Sequence, residues 1–429
     1  MSYNLRDAYA LFHRALAVFA LMSVRGIPVD RQALADLREK TIAERNAITK
    51  ALSAQCVHRY EKKYGQFDIG SGQDQQRLYY GVLGLSPLKN TKSGKDLTDP
   101  LQCSTDAASR EHLLTQVEVG TPEHDLIAGA GECTHLVKLL GYINGWQELM
   151  DKDGLLNSSF LLHSVSSYRS SCADPNFQNI PIRNPILARL RRCLVPKNDW
   201  FLEMDFSGAE VRGYAVYSGD ETLIHNIRNG IDFHRYYASL LFDKQEKEIT
   251  KAERYKAKNS FVFPEFYGSY YKTISAGRPE WPEARVKKTE DKMWADMPKV
   301  KAWQKRTQKE YEDRGYLQYL TGFQARYGGK GGLLSSNQIC NIPNQGFAFH
   351  RLLKVLCDVE DEMRRRNMKS WICGQIHDSV VFDVVDEELD DVVDLTEEIV
   401  ARPAFGFDDV VPWEAEFGIG KNFLDKVEL

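Results

Sequence analysis

The chain has 429 residues, 43% of them hydrophobic and 27% charged, which suits a soluble globular protein with two or three subdomains that each bury a core. A formal net charge of −4 excludes a histone-like binder. It leaves room for a nucleic-acid enzyme, because the local distribution of charge sets the field at a cleft. The eight cysteines (56, 103, 133, 172, 193, 340, 357 and 373) include no CxxC pair and no regular spacing, so they read as reduced thiols with no zinc site. No apolar run approaches a membrane span and residues 1–7 lack a signal-peptide pattern, so a cytoplasmic protein without membrane contact is expected.

Residues 7–24 place Ala10, Leu11, Ala15, Val18, Phe19 and Met22 at helical spacing and stop at Gly26-Ile27-Pro28. A second helix is predicted from about 31 to 55. Residues 65–105 form a polar stretch with Gly70, Gly72 and Gly94. Its Lys92 and Lys95 suit phosphate contact, but the complete Walker pattern is absent. Helices resume near 108–117 and 132–148, and Gly154 marks the next break. Residues 163–192 are rich in Ser, Asn and Arg, including Arg169, Gln178, Asn179 and Arg183. Such groups hydrogen-bond phosphates, sugars and minor-groove base edges, and they equally suit a turn-rich surface.

Trp200-Phe201-Leu202-Glu203-Met204-Asp205 reads as a strand that delivers a carboxylate at its end, either for a divalent metal or as a helix N-cap. Residues 214–340 look mainly helical, with a basic helix at 246–262. On it Arg254 and Lys258 are four apart, share a face and form a natural clamp for a triphosphate. The aromatic run at 261–267 suits base stacking, although core packing is the better reading of Phe261 and Phe266. A helix is predicted at 344–365, after Asn341-Ile342-Pro343. Residues 374–384 then read as a β-hairpin with His377-Asp378 at its turn. Two metals about 3.5–4 Å apart need carboxylates from separate elements, and Asp205 and Asp378 are the obvious pair.

These segments resemble family A DNA polymerases, the group that contains bacterial DNA polymerase I and many phage replicases. The resemblance runs from about residue 16 to 425. Asp205-Phe206-Ser207-Gly208-Ala209-Glu210-Val211-Arg212 is similar to the first palm motif, 254–268 to the fingers-helix motif and Gln375-Ile376-His377-Asp378 to the second palm motif. Supporting segments follow in the family's order: Val24 to Asp30, Arg169 with 176–183, Asp232-Phe233-His234, Gly315-Tyr316-Leu317 and Gln345-Gly346.

The resemblance implies an α+β right-hand fold with an antiparallel-sheet palm, helical fingers and a helical thumb. It places the thumb at 1–165, the fingers at 214–340 and the palm at 166–213 and 341–429. The implied activity is template-directed DNA synthesis, in which deoxynucleotides are added to a primer 3′-hydroxyl and pyrophosphate is released. Asp205 and Asp378, with the Phe206 carbonyl, would hold two Mg²⁺ ions. Arg254, Lys258, His234 and Arg183 would bind the incoming nucleotide, and Lys258 would also be the general acid. Glu210 would be the steric gate, with Tyr267 hydrogen-bonded to it and Phe263 on the nucleotide face. Arg169, Gln178, Asn179, Asn341, Gln345, His377 and Lys92 would contact primer-template DNA. A single-subunit RNA polymerase and a catalytically silent DNA-binding subunit are the alternatives, against which Glu210 and the retained Asp205 and Asp378 respectively argue. The resemblance begins at the thumb, so a separate 3′→5′ exonuclease or other replisome subunit is the expected partner, with a truncated chain as the alternative.

Three departures from the family pattern carry expectations. Gly208 replaces a commoner polar residue, which removes a hydrogen bond. Ser379 stands where many members carry a second carboxylate, and should ligate metal poorly. The register fixed by Arg254 and Lys258 is one residue out of step with that fixed by Tyr267-Gly268. Pro264 costs about 3 kcal/mol in a regular helix interior, so a π-bulge or kink around 259–264 is predicted to absorb the extra residue.

Overall fold

The computed structural model describes residues 3–53, 57–276, 278–326 and 332–429. Strands β1 (Trp200–Phe206), β2 (Trp371–Ile376), β3 (Ser379–Val384), β4 (Ala415–Gly420) and β5 (Val427–Glu428) form one antiparallel sheet in the order β5-β4-β1-β3-β2. β1 at the centre and β3 beside it carry β-branched and aromatic side chains suited to a covered pleated surface, and every residue of β3 is buried. The sheet shares one core with the helices Leu5–Arg25, Ser336–Arg365 and Leu389–Ala401, through Phe19, Leu352, Leu356, Leu395 and Phe382 among others.

Two helical regions flank this sheet. The helices Arg31–Ser53 and Pro122–Leu149 pack together, and a separate small core around Tyr60, Leu78, Tyr79 and Leu126 fills the far end of that region. On the other side, helices from Ala209–Ser218 to Pro298–Arg314 enclose a core of Tyr237, Phe261, Phe266, Trp281 and Trp303. Sequence patterning already favoured core positions for Phe261 and Phe266, and both are fully buried.

Several expectations need correction. The helix expected at 132–148 starts at Pro122, because Thr121 caps it and Pro122 sits at the first helical position, where a missing N–H costs nothing. The helix expected at 344–365 begins at Ser336 and passes through Pro343, so the boundary drawn at 340 falls inside it. A capping box between Ser335 and Gln338 starts this helix, and burial of Ile339, Cys340, Ile342 and Phe347 outweighs the proline. The polar stretch 65–105 contains a short helix, Gly72–Gln76, that runs into a π-turn at Arg77–Val82. The most apolar 18-residue stretch of Leu5–Arg25 has a mean hydropathy of 1.3, so this helix meets the length and composition of a membrane span, contrary to the sequence reading. One face of it is packed into the sheet core, and Arg14 pairs with Asp358 at 2.6 Å and Asp361 at 2.5 Å. The cysteines at 103, 133, 172, 193, 340, 357 and 373 are free and buried, and Cys56 lies outside the described residues.

Candidate active site

β1 carries Asp205 near its end, and the β2–β3 turn carries Asp378 beside it. Antiparallel pairing sets Ser379 directly across from Asp205, and the Phe206 N–H donates to the Asp378 carbonyl at 3.3 Å. Residue Asp205 is exposed as a whole, yet protein atoms crowd its carboxyl group. That desolvation, with the nearby charges of Asp378, Glu203 and Glu416, pushes its pKa up to about 7. A divalent cation relieves this kind of like-charge crowding, and carboxylate and carbonyl oxygens are the donors Mg²⁺ prefers. Among the described residues no group of three or more His, Cys, Asp or Glu side chains forms a ready cage. The donor set therefore fits an ion that completes its shell with water or substrate phosphates, as Mg²⁺ does. Arg169 Nη2 lies 3.2 Å from Asp378 Oδ1 and holds that carboxylate in the meantime.

Beside the aspartates a cleft of about 590 Å³ is lined by Asp205, Phe206, Arg212, Asp232, His234, Arg254, Lys258, Glu414 and Glu416, among others. Arg254 and Lys258 thus share one wall, as their spacing implied. Asp232 Oδ2 accepts Arg254 Nε at 2.6 Å and fixes the guanidinium. His234 is buried, and desolvation together with Lys258 and Arg254 pushes its pKa down to about 3. It is therefore neutral, and its Nδ1 is buried without a partner. Arg183 is on an exposed loop and is not among the residues that line this cleft.

The fingers helix departs from α geometry where the two registers conflict. Residues Lys251–Ala257 are α-helical, Lys258–Val262 form a π-turn and Phe263–Phe266 return to α. The Phe263 N–H reaches the Lys258 carbonyl, five residues back. This widened turn brings Phe263 into line with Tyr267; the rings stack with centroids 5.8 Å apart and planes 8° from parallel. Lys258 Nζ lies 5.5 Å from the Phe263 centroid. The Tyr267 hydroxyl donates to Glu210 Oε2. Burial raises the Glu210 pKa, against the opposing pull of Tyr267, Arg169 and Gln345.

Gln345 and Arg169 thus stand near Glu210 and Tyr267. Gln178 Nε2 donates to Ser170 Oγ at 2.7 Å and to Gln375 Oε1 at 2.9 Å, which ties its loop to β2 beside the catalytic turn. His377 is exposed at the tip of the turn, in a left-handed conformation (φ 50°), and burial of its ring with Arg169 nearby lowers its pKa. Asn341 keeps a buried Oδ1 without a partner. Asn179 and Lys92 are exposed.

Sequence reasoning missed several supporting residues. Asn344 Nδ2 donates to the Glu210 carbonyl at 2.9 Å, Tyr214 donates to the Phe266 carbonyl at 3.0 Å, and Gln304 reaches the Glu265 and Phe266 carbonyls at 3.0 and 2.8 Å. Arg212 is bonded to Ser207, Pro412 and Glu414. Asn344 adjoins a motif already singled out, whereas Gln304 carries no local signal.

Comparison with known proteins agrees with this geometry. A family model described as DNA polymerase family A matches residues 35–425. The thermostable DNA polymerase I of Thermus aquaticus is 28% identical over 424 residues, covering 96% of this chain and 47% of the relative. DNA polymerase I of Geobacillus stearothermophilus is 25% identical over 423 residues, covering 95% of this chain and 45% of the relative. The chain spans about half the length of the curated relatives it matches. Among solved structures, the POL domain of Pol1 from M. smegmatis, in complex with DNA primer-template and dNTP, superimposes with a TM-score of 0.79 at 22% identity, covering 96% of this chain and 69% of that one. That likeness shows the fold, the right-hand α+β arrangement of palm, fingers and thumb.

Proposed function

Because the chain belongs to DNA polymerase family A, we propose that it extends a primer 3′-hydroxyl with deoxynucleotides, directed by a template strand. One observation carries this reading: Asp205, with Asp378 on the neighbouring turn, lines a cleft whose wall holds Arg254, Lys258 and a neutral His234. Two Mg²⁺ ions held by Asp205, Asp378 and the Phe206 carbonyl would lower the pKa of the primer hydroxyl and neutralise charge on the transferred phosphate.

The protein's own groups account for the rest. Arg254, fixed by Asp232, grips the triphosphate, and the neutral imidazole of His234 in the same cleft wall offers it a hydrogen bond. The primer hydroxyl gives its proton to solvent water and its oxygen bonds to the α-phosphorus as the bond to pyrophosphate breaks, while Lys258 supplies the proton that the leaving pyrophosphate takes and regains one from solvent. Glu210, pinned by Tyr267 and Gln345, closes the space a 2′-hydroxyl needs. Arg169, once released from Asp378, joins Gln345 and His377 at the primer terminus. Acceptors at purine N3 and pyrimidine O2 occur there in every base pair, so pairing geometry is tested without reading sequence.

Extension of a primed template in Mg²⁺ tests the reading. Deoxynucleotides should be incorporated and ribonucleotides rejected, and Glu210→Ala should admit ribonucleotides. Equal use of both sugars by the unaltered protein would overturn the gate and favour an RNA polymerase.

A further inference from the structure

The metal face carries carboxylates that the reaction above does not use, Glu203 and Glu416 among them. Glu203 stands two residues before Asp205 on β1, so both side chains leave the same face of the strand. Its Oε1 accepts the Ser379 hydroxyl at 2.9 Å. Ser379 is paired across the strands with Asp205, while Glu203 is paired with Val381. The Glu203 carboxylate therefore leans along the strand toward the aspartates. Ser379 has the Ile376 carbonyl as a second acceptor at 2.9 Å and only one proton to give.

The other carboxylate oxygen, Oε2, is bound by Lys426. This lysine arises just before β5 and crosses β4 to reach its partner. Gly418 is the residue of β4 paired with Glu203, and a Cβ at Gly420 would stand 3.0 Å from Lys426 Cγ, so small residues keep the path open. The ammonium lies 4.1 Å from the centre of the Phe423 ring, and the side chain is only 13% exposed. Arg191 packs on the same ring at 4.3 Å, and Glu416 is paired across from Asp205 on the β4 side. Lys426 is thus held by its stem, its ring contact and its ion pair.

We infer that the Glu203–Lys426 pair sets the charge that the metal face presents to a divalent cation. With Lys426 in place Glu203 is neutralised and serves Ser379 as an acceptor, a positioning role and not that of a third ligand. Without Lys426 the carboxylate becomes an additional attractor beside Asp205. Without Glu203 the ammonium becomes a repeller. This inference rests on the reading of Asp205 and Asp378 as cation ligands.

Mn²⁺ binding to the protein alone, without DNA or nucleotide, tests it through the electron paramagnetic resonance signal of free Mn²⁺. Lys426→Met should bind Mn²⁺ about three- to tenfold more tightly and Glu203→Gln more weakly by a similar factor, as one unit charge several ångströms away predicts. The double variant should return to within about twofold of the unaltered protein, since the net charge of the face is restored. Opposite signs separate a charge effect from a packing defect, which would weaken binding in both single variants. Binding that Asp205→Asn abolishes, but that Lys426→Met and Glu203→Gln move in one direction or not at all, overturns this inference alone. Binding that Asp205→Asn leaves intact overturns the metal assignment and this inference with it.

Discussion

Gly208 has a left-handed backbone (φ 61°, ψ 40°) at the point where β1 turns into the helix Ala209–Ser218. A residue without Cβ adopts that conformation at least cost. An added Cβ would lie 3.3 Å from Arg212 Nη1, the guanidinium that bonds Ser207, Pro412 and Glu414 around the turn. Gly208→Ala should destabilise the protein by about 1 kcal/mol, read as a lower unfolding midpoint in urea. A second residue-scale case is Glu265, which is fully buried behind Phe266. Its Oε2 accepts Trp294 Nε1 at 3.2 Å, and its Oε1 has no partner. Burial, aided by Glu290 and opposed by Lys301, pushes its pKa up to about 8 from an ordinary 4.5. Between those values the folded state keeps a proton that the unfolded chain releases, so this group's contribution to stability is full below pH 4.5 and is lost as pH rises through 8. Glu265→Gln should flatten that decline in unfolding midpoints measured from pH 5 to 9 (roughly 1.4 kcal/mol for each pH unit across the window). An unchanged slope would show that Glu265 ionises freely in the fold.

At the scale of elements, the fingers helix was legible because its two ends demand different registers. Arg254 and Lys258 fix one, Tyr267-Gly268 fixes the other, and Pro264 forbids a regular turn between them; the π-turn Lys258–Val262 resolves the conflict. The helix Ser336–Arg365 was less legible for a related reason. Proline usually ends a helix, and only the burial of residues on both sides of Pro343 carries the helix through it. With the π-turn in place, Phe263 stands beside Lys258 and His234, and on the proposed reading it meets the nucleotide without the hydroxyl a tyrosine would offer there. The protein should therefore discriminate against dideoxynucleotides. Competition between dideoxy- and deoxynucleotides in primer extension checks this, and equal incorporation would contradict the register.

For the whole molecule, the sheet and the fingers have separate cores joined by both packing and polar contact: Tyr217 lies against Trp303 of one core and Phe347 of the other, with ring centroids 5.3 and 5.8 Å apart, and Asn344 donates to the Glu210 carbonyl. The pairing of Asp205 with Asp378 was legible because each ends an apolar run that reads as a strand. The Glu203–Lys426 pair, 223 residues apart, was not, since nothing local reports which residues a sheet register sets side by side. Arg183 lies on an exposed loop outside the lining of the cleft, and a motif gives the order of residues while the loop's path decides which of them line it. The net charge of −4 likewise conceals the Arg254–Lys258 wall. The central claim is that Asp205 and Asp378 together hold the cations that drive nucleotide transfer. Single-turnover primer extension in Mg²⁺ tests it most directly. Asp205→Ala and Asp378→Ala should each slow the step about a thousandfold or more, the several kcal/mol that metal neutralisation supplies. Extension at the unaltered rate by either variant would contradict the account.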